Sequence, residues 1–100
     1  MRAITATNTT TTISTTFTTY ILKCSDQTLY IGSTNNLAHR LHAHNHLKSG
    51  ARYTRARRPV KLFYQENFST MTEAKKREAA LKKLTRQEKL NLRAKILKYT

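Results

Sequence analysis

Tyr30, Ile31 and Gly32 stand in a row, with Tyr20 ten positions before the triplet's tyrosine and Arg40 ten positions after it. Two phenols and a guanidinium at such spacing point to phosphodiester chemistry. Cleaving that ester needs a nucleophile, stabilisation of charge on the phosphorane-like transition state and help for the leaving alkoxide. Tyr30 would orient or deprotonate the attacking water, with Tyr20 supporting it by a hydrogen bond. A free phenol holds its proton to about pH 10, so a base role needs help from a metal or an arginine. Arg40 can present a planar, two-pronged donor to a scissile phosphate, which lysine would not reproduce. His44 follows one helical turn later on the same face, within reach of the substrate, and could relay a proton or hold the phosphate. Glu78, taken by itself, fits two readings: a solvated helix acid among Lys75 and Lys82, or a carboxylate holding one Mg²⁺ or Mn²⁺, which commonly binds through one or two carboxylates and several waters.

These groups must be carried by a small frame. One hundred residues make a single domain with a modest core. The formal net charge is +14, and 15 of the 19 lysines and arginines lie beyond residue 50. A surplus of that size favours a polyanionic partner, because each phosphate neutralised releases condensed counterions. Cys24 is the lone cysteine, which rules out an internal disulfide and a multi-cysteine zinc site and fits a reducing, cytoplasmic setting. No apolar run approaches the roughly 20 residues needed to span a bilayer.

Residues 1–16 are mostly threonine, without periodic apolar positions, and read as a disordered leader or the product of an upstream start codon. A targeting peptide is the other reading of a hydroxyl-rich, acid-free stretch, although Arg2 is its only charge. The folded domain is expected over 17–98. Phe17 to Cys24 and Leu29 to Ser33 read as a hairpin. An even-length turn would put the two tyrosines on opposite faces. A three-residue loop with Gln27 left-handed pairs Tyr30 with Leu22 and Tyr20 with Gly32, bringing both phenols to one face, and this bulged form is predicted. Thr34 to Asn36 offer N-caps for a helix to about Lys48, with Leu37 and Leu41 inward and Gly50 as its stop. A basic loop follows, then a strand from Val60 to Phe68. Two capping boxes, at Thr70 and Thr85, open helices that pack through Ala74, Leu81 and Leu84, and through Leu90, Ala94 and Leu97. The coarse order β-β-α-β-α-α favours an α+β fold, a small sheet backed by helices.

The ordered set Tyr20, Tyr30-Ile31-Gly32, Arg40, His44 and Glu78, with the tract from Ala51 through Arg52-Tyr53-Thr54-Arg55 to Arg57-Arg58-Pro59, resembles the GIY-YIG nuclease family and its short bacterial single-domain branch, from about Phe17 to Leu92. The family's first triplet ends Gly-Ile-Tyr, whereas here it reads Thr18-Thr19-Tyr20, so only the tyrosine carries over. A late asparagine that orders the site in larger relatives has Asn91 near its expected place. The resemblance implies a three-stranded antiparallel sheet with flanking helices. It also implies metal-dependent endonuclease activity on DNA, in repair, recombination or processing, with Mg²⁺ or Mn²⁺ on Glu78.

Beside the catalytic set, Arg52, Tyr53, Arg55, Arg57 and Arg58 suit a backbone grip with one stacked base, and Lys82 would extend the track. Single-stranded or branched DNA is the expected substrate, with RNA as a second possibility. His39, His42 and His46 share a helical face, but no carboxylate accompanies them as a zinc site would favour. Two rival readings are a nucleic-acid-binding module with weak catalysis and a basic ribosome-associated structural protein. The last requires that Tyr20, Tyr30, Arg40 and Glu78 do not converge.

Overall fold

A computed structural model describes residues 16–99, with side chains to Ala94. The threonine-rich leader, apart from its last residue, and the packing expected of Leu97 lie outside the described residues. The elements are β1 (Phe17–Lys23), β2 (Leu29–Thr34), α1 (Leu37–His46), α2 (Arg52–Arg55), β3 (Lys61–Phe68), α3 (Met71–Lys82) and α4 (Arg86–Tyr99). The three strands form one antiparallel sheet in the order β2-β1-β3, as the α+β reading requires. The addition is α2, one helical turn inside the stretch expected to be a loop.

The hairpin adopts the bulged register. Gln27 takes φ 72°, Tyr20 pairs with Gly32, and Leu22 pairs with Tyr30. Asp26 supports the turn by accepting from the Thr28 backbone N–H at 3.1 Å and its hydroxyl at 2.6 Å. Because side chains alternate along a strand, β1 splits its residues between two cores. Tyr20, Leu22 and Cys24 join Val60 on one face, closed by Tyr30, Leu37 and Leu41. Ile21 faces the other way with Ile31 and Leu81, flanked by Phe63, Tyr64, Leu84 and Leu92. The sheet is therefore held between α1 on one side and α3 with α4 on the other.

The caps follow the sequence. Asn36 Oδ1 accepts from His39 N at 3.0 Å to start α1, Thr70 caps α3, and Thr85 with Glu88 forms a reciprocal box at α4. Three expectations need correction. Helix α1 stops at His46, with Leu47 rather than Gly50 at its C-cap and short of the expected end near Lys48. Gly50 is instead a contact point: a Cβ there would meet the Ala43 carbonyl and lie 2.8 Å from His44 Cα. In α4, Leu92 touches the core and Ala94 is exposed.

Arg58 explains how α1 ends. Its guanidinium donates to the carbonyls of His44 at 2.6 Å, Leu47 at 2.7 Å and Ala43 at 3.2 Å. The last carbonyls of a helix lack internal partners and carry partial negative charge, so a cation there is favourable. Asn45 adds a two-point latch to the backbone of Val60, at 2.7 and 3.0 Å. Together these fix α1 and the segment after it to the start of β3.

Candidate active site

The bulged hairpin brings Tyr20 and Tyr30 to the α1 face with ring centroids 6.5 Å apart. Tyr20 is 1% exposed, and Gly32 lies directly over its hydroxyl. Any side chain at 32 would collide with that phenol, so the glycine is there for close approach rather than for a positive φ. Tyr20 Oη is 2.9 Å from His44 Nε2. On its other side, His44 Nδ1 lies 2.8 Å from Thr54 Oγ1 and 3.3 Å from the Ala51 backbone nitrogen. The Thr54 hydroxyl also lies 2.9 Å from the Ala51 carbonyl, so the imidazole is gripped at both ring nitrogens, by Tyr20 on one side and by the start of α2 on the other. Burial pushes the phenol up to about 12, partly opposed by Arg40.

His44 itself is fully buried. Burial lowers its pKa to about 4, with the positive charges of Arg40 and Arg58 adding to the effect. The expectation that His44 would meet the substrate as a relay or phosphate holder is therefore corrected. Its position opposite Tyr20 on the α1 face makes it an internal brace, neutral near pH 7.

Tyr30 is half-buried, and none of the described residues hydrogen-bonds its hydroxyl. Its ring meets His44 edge-on at 5.2 Å and stacks with Tyr53 at 5.9 Å, 26° from parallel. Arg57 covers Tyr53 at 3.8 Å and is itself held by Asp26 at 3.1 Å and the Tyr53 carbonyl at 3.0 Å. The order Tyr30, Tyr53, Arg57 is thus a layered stack at the surface, with Tyr53 38% exposed.

Arg40 donates through Nη1 to the Ser49 carbonyl at 2.9 Å. An arginine has five N–H donors, so most remain for an outside oxygen. No acid pairs with Arg40 among the described residues, and its charge is felt by both Tyr20 and His44.

Glu78 projects from α3 toward the edge strand β2. Its carboxylate accepts from Ser33 Oγ at 2.7 Å and Lys82 Nζ at 2.8 Å, with Lys75 Nζ at 3.5 Å. Burial works to raise its pKa, but hydrogen bonds from Lys82 and Ser33 and the charge of Lys75 leave it below the ordinary value, so the acid is ionised near neutrality. Glu78's charge reaches the Tyr20 phenol, and Tyr30 in turn bears on Lys82. Glu78, held by Ser33 on the α3 side of the β2 edge strand, and Tyr30, on its α1 side, therefore flank the same strand.

The remaining expected contacts divide. Arg52 and Arg55 are exposed and point no hydrogen bond at any described residue. Arg57 and Tyr53 brace one another. Arg58 does not belong to the proposed grip, because three helix carbonyls occupy it. Asn91 sits exposed on α4, accepting from Gln87 at 3.0 Å. Two participants escaped sequence reasoning. Ser33 was visible only as the residue beside Gly32, and strand alternation is the one signal that it would face α3. Thr54 is uncharged and lies inside a tract of arginines, where no sequence signal sets it apart.

A family model described as the GIY-YIG catalytic domain matches residues 16–91. The chain belongs to the GIY-YIG family. A UPF0213 protein of Clostridium perfringens is 58% identical over 73 residues, covering 73% of this chain and 77% of its own length. Another, from Syntrophus aciditrophicus, is 53% identical over 73 residues, covering 73% and 84%. A solution NMR structure of an E. faecalis protein is 41% identical with a TM-score of 0.56, covering 82% of this chain and 88% of that one. GIY-YIG domains are nuclease domains, so nucleic acid is the substrate class. Among the described residues no helix is long and apolar enough to cross a membrane.

GIY-YIG nucleases typically depend on a divalent metal, and the donor set around Glu78 is compatible with one. The carboxylate is already ionised and is anchored on one side by a neutral hydroxyl. The ammonium of Lys82, whose side chain is 57% exposed, stands where a cation would be attracted and is free to swing into solvent. Lys75, 59% exposed, can do the same.

Proposed function

We propose that this GIY-YIG domain is a metal-dependent endonuclease hydrolysing phosphodiester bonds of DNA, with single-stranded or branched substrates favoured. We further propose that it acts in the cytoplasm in repair, recombination or processing. What supports this reading is Tyr20 and Tyr30 on the α1 face, with the charges of Arg40 and Glu78 bearing on Tyr20 and with Glu78 held by Ser33 on the far side of the β2 edge strand. Arg40 turns its uncommitted donors to the scissile phosphate. Tyr30, whose hydroxyl none of the described residues engages, orients the attacking water. Tyr20 remains protonated to about pH 12 and so serves as a donor rather than a base. His44 and Thr54 hold it there. Glu78, with Ser33 behind it, would hold Mg²⁺ or Mn²⁺. Such an ion supplies Lewis acidity and neutralises charge on phosphate oxygens. Tyr53, layered between Tyr30 and Arg57, would take one unstacked base on its outer face as Arg57 swings aside, and Arg52 and Arg55 offer charge to the backbone beside it.

The test is incubation of labelled single-stranded, flapped and duplex DNA, and of labelled RNA, with Mg²⁺ or Mn²⁺. Cleavage by the native chain should be lost in Glu78→Ala and Arg40→Ala. Equal cleavage by all three would mean a contaminating enzyme. Steeply salt-dependent binding without scission under any divalent ion would leave a binding module instead.

A further inference from the structure

A second concavity lies away from these residues, at the far end of the sheet between the hairpin, the start of β3 and α4. It has a volume of about 500 Å³ and is lined by Lys23, Ser25, Lys61, Leu62, Phe63 and Arg93, among others. Lys23 and Lys61 are direct cross-strand partners, an arrangement that destabilises a sheet when the charges are alike. Arg93 stands 5.3 Å above the Phe63 ring. Among the described residues nothing is left to neutralise these three cations, because all five acidic side chains are committed elsewhere. Asp26 pairs with Arg57, Glu66 with Arg77, and Glu78 with Lys82, while Glu73 and Glu88 sit in the caps of α3 and α4. Leu62, 38% exposed, adds apolar surface.

We propose that this groove is a second nucleic-acid subsite, holding the continuation of a single strand whose cleaved segment lies at the β2 edge. It rests on the proposed DNA substrate and extends it. Continuity supports the path: Ser25, on the groove wall, donates its N–H to the Arg57 carbonyl at 3.0 Å, and Arg57 forms the outer layer of the stack on Tyr30 and Tyr53. Phosphates would meet Lys23, Lys61 and Arg93, and a base would lie on Leu62.

The experiment is fluorescence anisotropy in EDTA with oligothymidylates of about 6 and about 20 nucleotides, a range that spans typical single-strand site sizes. The variants are Lys23→Thr with Lys61→Thr, and separately Arg93→Gln. Threonine suits a strand and removes the like-charge pair, so the melting temperature should hold or rise. Binding of the long strand should weaken about tenfold, with a salt slope shallower by about 1.4 for two lost phosphate contacts, and the short strand should be unaffected. Equal losses on both lengths, or none on either, overturn the subsite. Since no cleavage is measured, this outcome is separate from the nuclease test, and an inactive protein that still shows the length-dependent loss would keep the groove while losing the endonuclease.

Discussion

The two faces of the sheet are built from alternate residues of the same strand, yet they do different work. Beneath α3, Ile21, Ile31 and Leu81 pack as plain hydrocarbon. Beneath α1, the neighbouring Tyr20 enters a buried polar line through His44 to Thr54. An apolar contact tolerates small shifts in direction, whereas a hydrogen-bonded line fixes the angle of each group in it. The hydrocarbon at the centre of the first face supplies cohesion, with Ser33 and Glu78 at its margin, and the second gives the phenol an orientation.

The comparison is broken most severely by Leu81→Ala. Emptying a fully buried leucine site should cost about 2–5 kcal/mol, seen as a lower urea midpoint, while the folded fraction keeps its cleavage rate. A large fall in rate per folded molecule would erase the division between the faces. Arg40→Lys should do the reverse, slowing cleavage about a hundredfold or more for loss of a two-pronged phosphate donor, with a melting temperature close to native. Thr54→Val removes one hydroxyl beside His44 and should cost about 1–3 kcal/mol in stability. It should also lower kcat more than KM, with Thr54→Ser restoring both. If valine matches native kcat, Thr54 is packing alone.

Acid gives a sharper separation. His44 binds its proton near pH 4 in the fold against 6.5 as the ordinary value. Between those limits the unfolded chain takes up the proton first, so stability should be level above about pH 6.5 and decline toward pH 4. His44→Gln should flatten that segment of the melting curve, and an unchanged slope would assign the titration elsewhere. The smallest effect is expected from Arg57→Ala: its ion pair with Asp26 lies at the surface, so the melting temperature should stay close to native.

What could be read in advance was whatever depends on spacing. Strand alternation and the left-handed Gln27 placed Tyr20 and Tyr30 on one face, and the threonine and glutamate pairs opened both late helices. Charge was a poorer guide, because a cation binds phosphate oxygens and helix carbonyls by the same forces. Arg58 has the charge of a phosphate grip and spends it on the carbonyls that end α1. Nothing in a linear sequence announces that the chain will fold back under α1. Burial was equally hard to foresee. His44 has the helical spacing of a surface partner to Arg40, and only the docking of Thr54 and Gly50 against that turn encloses it. Ser33 and Thr54 carry no charge and no motif, so their partners became visible only in three dimensions.

Gly32 does no chemistry, yet it is where the phenol is most easily dislodged. One methyl group added there would strike the Tyr20 hydroxyl and leave Cζ 2.6 Å away. The ring could escape only by surrendering its tie to the imidazole, with every ionisable group still in the chain. Alanine at this position should therefore yield a protein with its full complement of reactive side chains and the wrong aim.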